Sequence, residues 1–275
     1  MTYRHIHSFS LRGSRLGKRH EALLAERAEL LISVPRGEEP VEIAADARVD
    51  LAAEFGREAP LIVEVGPGSG EQAVGYAVRH PEVNILLVEA WHPGVGRCVA
   101  SIVRAGVENV RVLEADAVQA LPVVFGLAAS RAASAAEIEE IGPGVDPALP
   151  GSTNPRAAEL WTFFPDPWRK TRHHKRRLVA PRFGVVAAGI LEDQGLWRMA
   201  TDWDDYAWQM RDTLEVLPYF ENPYAGQNPD PNDREPERGG FARRWEEREL
   251  TRFEERGREA GRSVHDLVAV RKKRG

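Results

Sequence analysis

The sequence is short of cysteine, since Cys98 is the only one among its 275 residues. A single thiol excludes an intrachain disulfide and a multi-cysteine metal site, and it is typical of a protein from a reducing compartment. No apolar run approaches the ~20 residues that a membrane-crossing helix needs, and the N-terminus lacks the apolar core of a secretory signal. We therefore expect a cytoplasmic protein with no membrane span and no bound metal.

A strong excess of one charge sign is also missing, because the formal net charge is −5. This excludes a wholly basic nucleic-acid binder, so any such contact must come from local patches. Residues 1–20 contain five Arg or Lys and no acid, and six of the nine residues from Arg169 to Arg177 are Arg or Lys. Each patch creates a positive field suited to a polyphosphate backbone, although a merely solvated surface is the alternative.

The order of the predicted elements indicates an α/β fold. With 43% apolar residues, the chain can fill the core of one large domain. Apolar strands at 61–65, 85–88 and 110–113 alternate with two helices, a βαβαβ pattern that predicts a parallel sheet. Further strands are predicted at 160–164, 196–200 and 264–270, and helices at 21–32, 203–217 and 243–258.

Two regions are too poor in large apolar residues to pack independently. Of the 33 residues from 126 to 158, 20 are Ala, Gly, Pro or Ser, which predicts a flexible insertion. Residues 222–240 are rich in Pro, Gly, Asn and Asp, which predicts a loop. We expect residues 1–50 to form a basic arm and an accessory helix, and residues 51–275 to form the main domain.

A glycine loop follows the first predicted strand. Gly66, Gly68 and Gly70 would let a ligand approach the backbone near the positive end of the next helix. The segment from Gly68 also fits G-x-G-x-x-A, with Glu89 about twenty residues on, as in nicotinamide-binding enzymes. A nicotinamide-dependent oxidoreductase is therefore one reading of this loop.

The acids at three strand ends favour another ligand. Glu64 lies just before the glycines, where a carboxylate can hold an ammonium group but would repel a pyrophosphate. Asp116 follows the third strand, where it can accept from the amino group of an adenine. Together with Glu89, these acids suit S-adenosylmethionine. The alternative is that Glu64 and Asp116 cap helices or pair with arginines.

A carboxylate flanked by prolines follows the strand predicted at 160–164. Pro165 and Pro167 fix the backbone on both sides of Asp166, so this acceptor loop is predicted to be stiff and projecting. Ligands of open α/β sheets collect at the carboxyl ends of the strands, so Asp166 is expected to face the glycine loop. A rigid acid beside aromatic rings and a basic run suggests chemistry on a nucleobase.

Residues 163–177 taken together resemble the signature of the bacterial tRNA (guanine-N7)-methyltransferase family. The glycine loop at 64–70, Ala-Thr-Asp-Trp at 200–203 and Thr-Arg-Phe-Glu-Glu-Arg-Gly at 251–257 agree with this family, as do Ser8, Phe9, Arg12 and Arg15 near the N-terminus. The likeness covers most of the chain from about residue 4. It implies a Rossmann-like class I methyltransferase fold, with a mostly parallel seven-stranded sheet and helices on both faces.

The resemblance also implies a reaction and its residues. The reaction is transfer of a methyl group from S-adenosylmethionine to N7 of the variable-loop guanosine at position 46 of tRNA. Asp166 matches the catalytic residue and, with Glu64, Gly66, Gly68, Gly70, Glu89 and Asp116, the cofactor-binding positions. The substrate-contacting positions match Lys170, Arg172, Lys175, Arg176, Arg177, Asp202, Thr251, Arg252, Phe253 and Glu254.

Chemistry limits the role of Asp166 in such a reaction. Guanine N7 already has a free lone pair, so Asp166 is not expected to act as a simple general base. We expect it to hold the guanine through its N1 and N2 donors and to offset the charge that grows on the ring. Asp202 is a second candidate for orienting the base, or else a helix N-cap.

Several points stay open at this stage. The regions 126–158 and 222–240 are longer than the resemblance leads us to expect. The sequence fits either a monomer or a homodimer. A methyltransferase-like domain that binds RNA without catalysis is a further alternative, although the intact Asp166 and the three pocket acids argue against it.

Overall fold

The computed structural model describes residues 7–10, 15–39, 41–127 and 154–274. Arg4, Arg12 and residues 128–153 of the predicted insertion lie outside the described residues. The remaining chain folds around one seven-stranded sheet with the strand order β3-β2-β1-β4-β5-β7-β6. The strands are β1 (Leu61–Val65), β2 (Asn84–Glu89), β3 (Val110–Glu114), β4 (Ala157–Phe163), β5 (Leu191–Thr201), β6 (Phe220–Glu221) and β7 (His265–Arg271).

The first five strands of this sheet run parallel, and β7 pairs antiparallel with both β5 and β6. The parallel core forms because β1 and β2 are mostly apolar and can be buried on both faces, with Glu64 and Glu89 near their carboxyl ends. The prediction of a mostly parallel seven-stranded sheet is thereby confirmed.

Helices cover both faces of the sheet. One face packs against α1 (Lys18–Glu26), α3 (Glu71–Arg79) and α4 (His92–Ala105). The other packs against α2 (Leu51–Phe55), α5 (Ala117–Val124), α6 (Pro181–Ile190) and α7 (Asp204–Val216). A last helix, α8 (Arg252–Glu259), precedes β7. This arrangement confirms the expected helices on both faces.

Some predicted boundaries were wrong. The helix predicted at 21–32 is α1 followed by a 3-10 turn at Ala28–Leu30, after which Leu31 bridges to Val112. The helix predicted at 243–258 is confined to α8, because Thr251 caps its N-terminus and the preceding residues form an irregular segment. The predicted insertion also ends too late, since β4 already begins at Ala157.

Residues 222–240, all of which the structure describes, contain neither helix nor strand. Charged contacts nevertheless attach this loop to the domain. Arg211 of α7 is fully buried and binds Asp233 at 3.1 Å. His265 of β7 is also buried, and its Nδ1 lies 2.6 Å from Asp230. Although its composition is that of a loop, this segment is therefore held to the domain by specific charged contacts.

Candidate active site

A pocket of about 480 Å³ opens at the carboxyl ends of β1, β2 and β4. Most of its lining comes from five segments: residues 8–10, 64–69 with 71–72, 88–91, 163–166 and 251–253. The volume lies in the range of small-molecule sites, and the position is where open α/β sheets bind ligands. The structure thus brings the glycine loop and the acceptor loop together, as the sequence predicted.

The glycine loop turns sharply beneath the pocket. Gly66, Gly68 and Gly70 have φ angles of 71°, 62° and 72°, a region that side chains rarely adopt. A Cβ atom on Gly70 would lie 3.4 Å from Sγ of Cys98, a residue of α4 that packs beneath the loop. The lone cysteine is therefore a buried packing residue. Gly66 and Gly68 line the pocket, whereas Gly70, which was predicted to bind the cofactor, packs on α4 and does not line it.

Glu64 lies in β1 immediately before this loop and is only 3% exposed. Its Oε2 has no hydrogen-bond partner among the residues that the structure describes. Burial raises the pKa of Glu64 to about 8, and the nearby Glu89 acts in the same direction. A buried acid with an unpartnered oxygen at a pocket wall fits a ligand that carries an ammonium or another donor.

Glu89 ends β2 and organises the pocket from the other side. Its Oε2 accepts from the Gly68 amide at 3.1 Å, and its Oε1 accepts from the Trp91 amide at 2.9 Å. Burial is the main reason that the pKa of Glu89 is raised, and the charge of Asp166 adds to it. Glu89 thus links the glycine loop to the start of α4, and its pKa responds to the charge of Asp166.

Asp116 has a different role from the one predicted. Its Oδ1 accepts from the Val118 amide at 3.0 Å and caps α5, and its Oδ2 lies 3.3 Å from Nδ1 of His7. Asp116 is 1% exposed, and its neighbours Ala115 and Ala117 line the pocket whereas it does not. This corrects the placement in favour of the capping alternative, because the carboxylate is already held by the helix start and the histidine.

The acceptor loop is strained on both sides of Asp166. Phe164 and Trp168 have φ angles of 50° and 43°, which are uncommon for residues other than glycine. Asp166 lines the pocket and is open to solvent there, yet enough protein surrounds its carboxyl for partial burial to raise its pKa. The charge of Arg176 opposes this shift. The structure therefore places the acid of the acceptor loop at the pocket, and the stiffness of the loop stays a prediction.

The segment His7–Ser10 crosses the pocket and is tied to the acceptor loop. Trp168 donates from Nε1 to the carbonyl of Ser8 at 2.9 Å. Arg176 donates to the carbonyls of His7 at 2.9 Å and Phe9 at 2.8 Å, and it stacks on the Trp168 ring. Trp168 thus supports the loop and the segment rather than offering a free stacking face.

The basic run separates into exposed and buried members. Lys170, Arg172 and Lys175 are exposed, whereas Arg176 is half-buried. Arg177 is 4% exposed, and its guanidinium binds Asp205, Gln209 and the carbonyl of Pro167. The prediction that Arg177 contacts substrate is therefore corrected: it holds the end of the acceptor loop against α7.

The four residues 251–254, which were predicted to contact the substrate and are here called the C-terminal tetrad, are likewise divided into exposed and buried members. Thr251, Arg252 and Phe253 line the pocket, and Phe253 is 59% exposed. Glu254 is fully buried, because its carboxylate points inward and binds three arginines. Those arginines are Arg244, Arg248 and Arg258. The predicted substrate contact of Glu254 is thus corrected to an anchor for the start of α8.

Asp202 is found neither in the pocket lining nor at a helix cap. Its Oδ2 accepts from Arg262 at 2.7 Å, and its side chain packs on Gly257 of α8. The cap of α7 is instead the backbone at Trp203. Asp202 therefore connects the end of β5 with α8, and its predicted base-orienting role lacks a pocket contact.

Sequence reasoning missed several residues that line the pocket, four of which carry an aromatic or a cationic side chain. They are Trp91, Arg97, Arg248 and Arg256. Trp91 and Arg97 follow Glu89 closely, so their position after a strand end was an available signal. Arg248 and Arg256 flank the tetrad, but a charged segment alone does not reveal which cations face a pocket.

Neither a metal-binding cluster nor a membrane-spanning helix occurs in the described residues. They contain no cluster of three or more His, Cys, Asp or Glu side chains that could hold a metal ion. In the same part of the chain, every helix is too short or too polar to cross a bilayer.

Comparison with known proteins identifies the relatives of this chain. A family model described as "Putative methyltransferase" matches residues 58–129 and 152–267. A tRNA (guanine-N(7)-)-methyltransferase of Cutibacterium acnes is 38% identical over 96% of this chain and 83% of its own length. A protein of the same name from Nocardioides sp. is 38% identical over 98% of this chain and 88% of its own length.

Among solved structures, the crystal structure of NSun6 from Pyrococcus horikoshii with SFG is similar at a TM-score of 0.50. It shares 13% sequence identity and covers 78% of this chain and 48% of that one. At this identity the likeness supports the fold.

Proposed function

This chain belongs to the tRNA (guanine-N(7)-)-methyltransferase family, and we propose that it transfers a methyl group from S-adenosylmethionine to N7 of a guanosine in tRNA. We assign the variable-loop guanosine at position 46 as its target. As a tRNA-modifying enzyme it would act in the cytoplasm. The observation that carries the proposal is the single pocket in which Glu64, the glycine loop and Asp166 meet.

The residues of the pocket fit S-adenosylmethionine. The unpartnered Oε2 of Glu64 would accept from the ammonium group, and Glu89 would accept from the ribose hydroxyls. Gly66 and Gly68 leave room for the ligand to approach the backbone. When bound, this group supplies a methyl on a sulfonium, whose sulfur keeps the bonding electron pair as the methyl leaves. Asp116 contributes by fixing Ala115 and Ala117 of the wall, as the cap of α5.

Asp166 is the residue that we assign to catalysis. The lone pair of guanine N7 forms the new N–C bond, so no proton needs to leave the nucleophile. Asp166 would accept from N1 and N2 of the guanine and orient N7 toward the pocket. As positive charge develops on the ring, the nearby carboxylate stabilises it. The strained backbone at Phe164 and Trp168 fixes this carboxylate before the base arrives.

The surroundings of the pocket suit a nucleic acid. Lys170, Arg172 and Lys175 are exposed cations that follow the acceptor loop and can neutralise phosphates. Phe253 presents an exposed ring at the pocket, on which an unstacked base can stack. Because N7 of a paired guanine is inaccessible in the deep groove of RNA, the target must be exposed or turned out of the stack.

The predicted division at residue 50 separates the N-terminal arm from the main domain, but the pocket takes residues from both parts. Residues 51–275 supply the sheet and most of the pocket, but Ser8, Phe9 and Ser10 also line it. We therefore assign the N-terminal segment to the active site as well as to RNA binding.

Family membership does not favour the two alternatives. The family model and the relatives that this chain matches are named as methyltransferases, not as nicotinamide-dependent oxidoreductases. A non-catalytic RNA-binding domain would have no need of a fixed acid between two strained residues. The shared glycine pattern is thus explained by the fold rather than by a common cofactor.

The test is a methyl-transfer assay with S-adenosylmethionine labelled in the methyl group and tRNA transcribed without modifications. We expect label in the tRNA, at a guanosine that becomes sensitive to the cleavage chemistry specific for N7-methylguanosine. A transcript in which the target guanosine is replaced by adenosine is the matched control. Label at another atom, or no label with a folded protein, would contradict the proposal.

A further inference from the structure

Four arginines outside the basic run line the pocket, of which Arg248 is buried and paired with acids, whereas the other three are exposed. Arg97 lies on α4, and Arg252 and Arg256 lie on α8, four residues apart and therefore on the same helix face. These three reach the pocket from the side of the glycine loop, because α4 packs beneath Gly70 and Phe253 of α8 lies against Gly68. The acceptor loop lines the pocket from the end of β4.

The contacts of these arginines leave their charge available. The Cζ atom of Arg97 lies 4.9 Å from the centre of the Trp91 ring, and Nε of Arg252 lies 3.8 Å from Glu71. Among the described residues, the guanidinium of Arg256 makes no hydrogen bond or ion pair. Arg97 has no acid in contact with it in the same part of the chain. Among the described residues, Glu71 is thus the one carboxylate that forms an ion pair with any of these three arginines.

One acid of α8 points away from this edge of the pocket. Glu254, which lies between Arg252 and Arg256 in sequence, is buried and bound by arginines on the interior side of α8, whereas Glu255 is exposed and Glu71 lines the pocket. The N-terminus of α8 contributes a further partial positive charge toward the pocket. The exposed arginines therefore outnumber the acids that contact them at this edge.

We propose that Arg97 and Arg256, together with Arg252, bind the sugar-phosphate backbone of the nucleotides that flank the target guanosine. This inference rests on the proposed function. A base that leaves its stack to enter the pocket carries a phosphate on each side, so the backbone must cross the pocket entrance. The exposed cations Lys170, Arg172 and Lys175 follow the acceptor loop, and these arginines line the pocket beside the glycine loop. The backbone would therefore meet cations from separate parts of the sequence, of which only one forms a continuous run.

The experiment compares the salt dependence of tRNA binding in the double variant Arg97→Ala/Arg256→Ala with that of the wild type. Arg104→Ala/Arg182→Ala is the matched control, since it removes two exposed arginines that do not line the pocket. Between about 50 and 300 mM KCl, we expect the log–log slope to fall by roughly 0.7–0.9 per lost phosphate contact, hence by about 1.5 in the double variant. The control should keep the wild-type slope. Arg97→Lys/Arg256→Lys should restore it, because a lysine preserves the charge.

Two results would overturn the inference. One is a slope in the alanine variant equal to that of the wild type and the control. The other is a loss of affinity for S-adenosylhomocysteine with an unchanged RNA slope, which would assign the arginines to the carboxylate of the cofactor. Failure of the proposed function is a separate outcome, namely a wild-type protein that binds tRNA but places no methyl on N7. Unchanged melting temperatures show that both variants are folded.

Discussion

The Cζ atom of Arg176 lies 3.5 Å from the centre of the Trp168 ring, and both side chains also bind the backbone of the segment His7–Ser10. This stack joins the acceptor loop to the segment that covers the pocket. The sequence assigns Arg176 to an RNA-binding run and Trp168 to an aromatic motif. In the structure, both side chains hold a segment whose residues Ser8, Phe9 and Ser10 line the pocket.

The first prediction concerns this stack. Trp168→Ala removes the cation–π contact and the hydrogen bond to Ser8, which together contribute about 1–2 kcal/mol. Because Ser8, Phe9 and Ser10 line the pocket, the KM for S-adenosylmethionine should rise about tenfold. Trp168→Phe keeps a ring under Arg176 and should give an intermediate value. An alanine variant with the wild-type KM would show that the segment does not support the cofactor.

The second prediction concerns the assigned catalytic acid. Asp166→Asn keeps the shape of the side chain but removes the charge that stabilises the methylated ring, so kcat should fall about 10²–10³-fold. The affinity for S-adenosylhomocysteine should change little. Asp193→Asn is a suitable control, since Asp193 lies near the start of β5, at the opposite end of the sheet. Single-turnover rates check this prediction, and a near-normal rate for the Asn variant would remove Asp166 from catalysis.

Sequence patterns predict the parallel part of the fold well, for a physical reason. β1 and β2 are short, mostly apolar segments, and such strands are recognised without tertiary information. α6 was not predicted, because its buried residues surround the helix and leave no amphipathic period. α5 was missed as well, since Pro122 stands inside it and argues against a helix.

The candidate site shows a similar division. Glu64, Glu89 and Asp166 were predicted because they lie at or just after the carboxyl ends of strands, where the topology brings side chains together. Arg177 and Glu254 were misplaced because their burial depends on partners distant in sequence or on the opposite face of a helix. A charged residue next to a motif is read as exposed unless its ion pair is known. The arginines at the pocket could not be assigned from the charge pattern alone for the same reason.

The third prediction follows from the raised pKa of Glu64. In the unfolded chain this acid ionises near its ordinary value, whereas burial in the folded protein raises its pKa to about 8. Between these two values the folded state binds more protons, so the free energy of unfolding should fall as the pH rises from about 5 to 8. Glu64→Gln cannot ionise and should be the more stable protein at pH 9, by an amount on the order of a few kcal/mol.

Thermal melts of the wild type and Glu64→Gln at pH 6 and pH 9 check this expectation. The difference between the two proteins isolates Glu64 from Glu89, whose pKa is also raised and which both proteins retain. The variant should also bind S-adenosylmethionine more weakly than the wild type at the higher pH, because it lacks the anion for the ammonium group. Equal pH dependence in the two proteins would mean that Glu64 is not the buried acid that responds.

The fourth prediction separates structural from RNA-binding cations within the basic run. Arg177→Ala leaves Asp205, Gln209 and the carbonyl of Pro167 without their buried partner, so it should lower the free energy of unfolding by about 3 kcal/mol. Lys175→Ala, two residues earlier, removes an exposed charge and should leave the melting temperature unchanged. It should instead lower the slope of tRNA affinity against salt by roughly 0.7–0.9. Melting curves and salt titrations on the same two variants give opposite results if the division is right, whereas a stable Arg177→Ala protein with a reduced salt slope would return Arg177 to the RNA-binding surface.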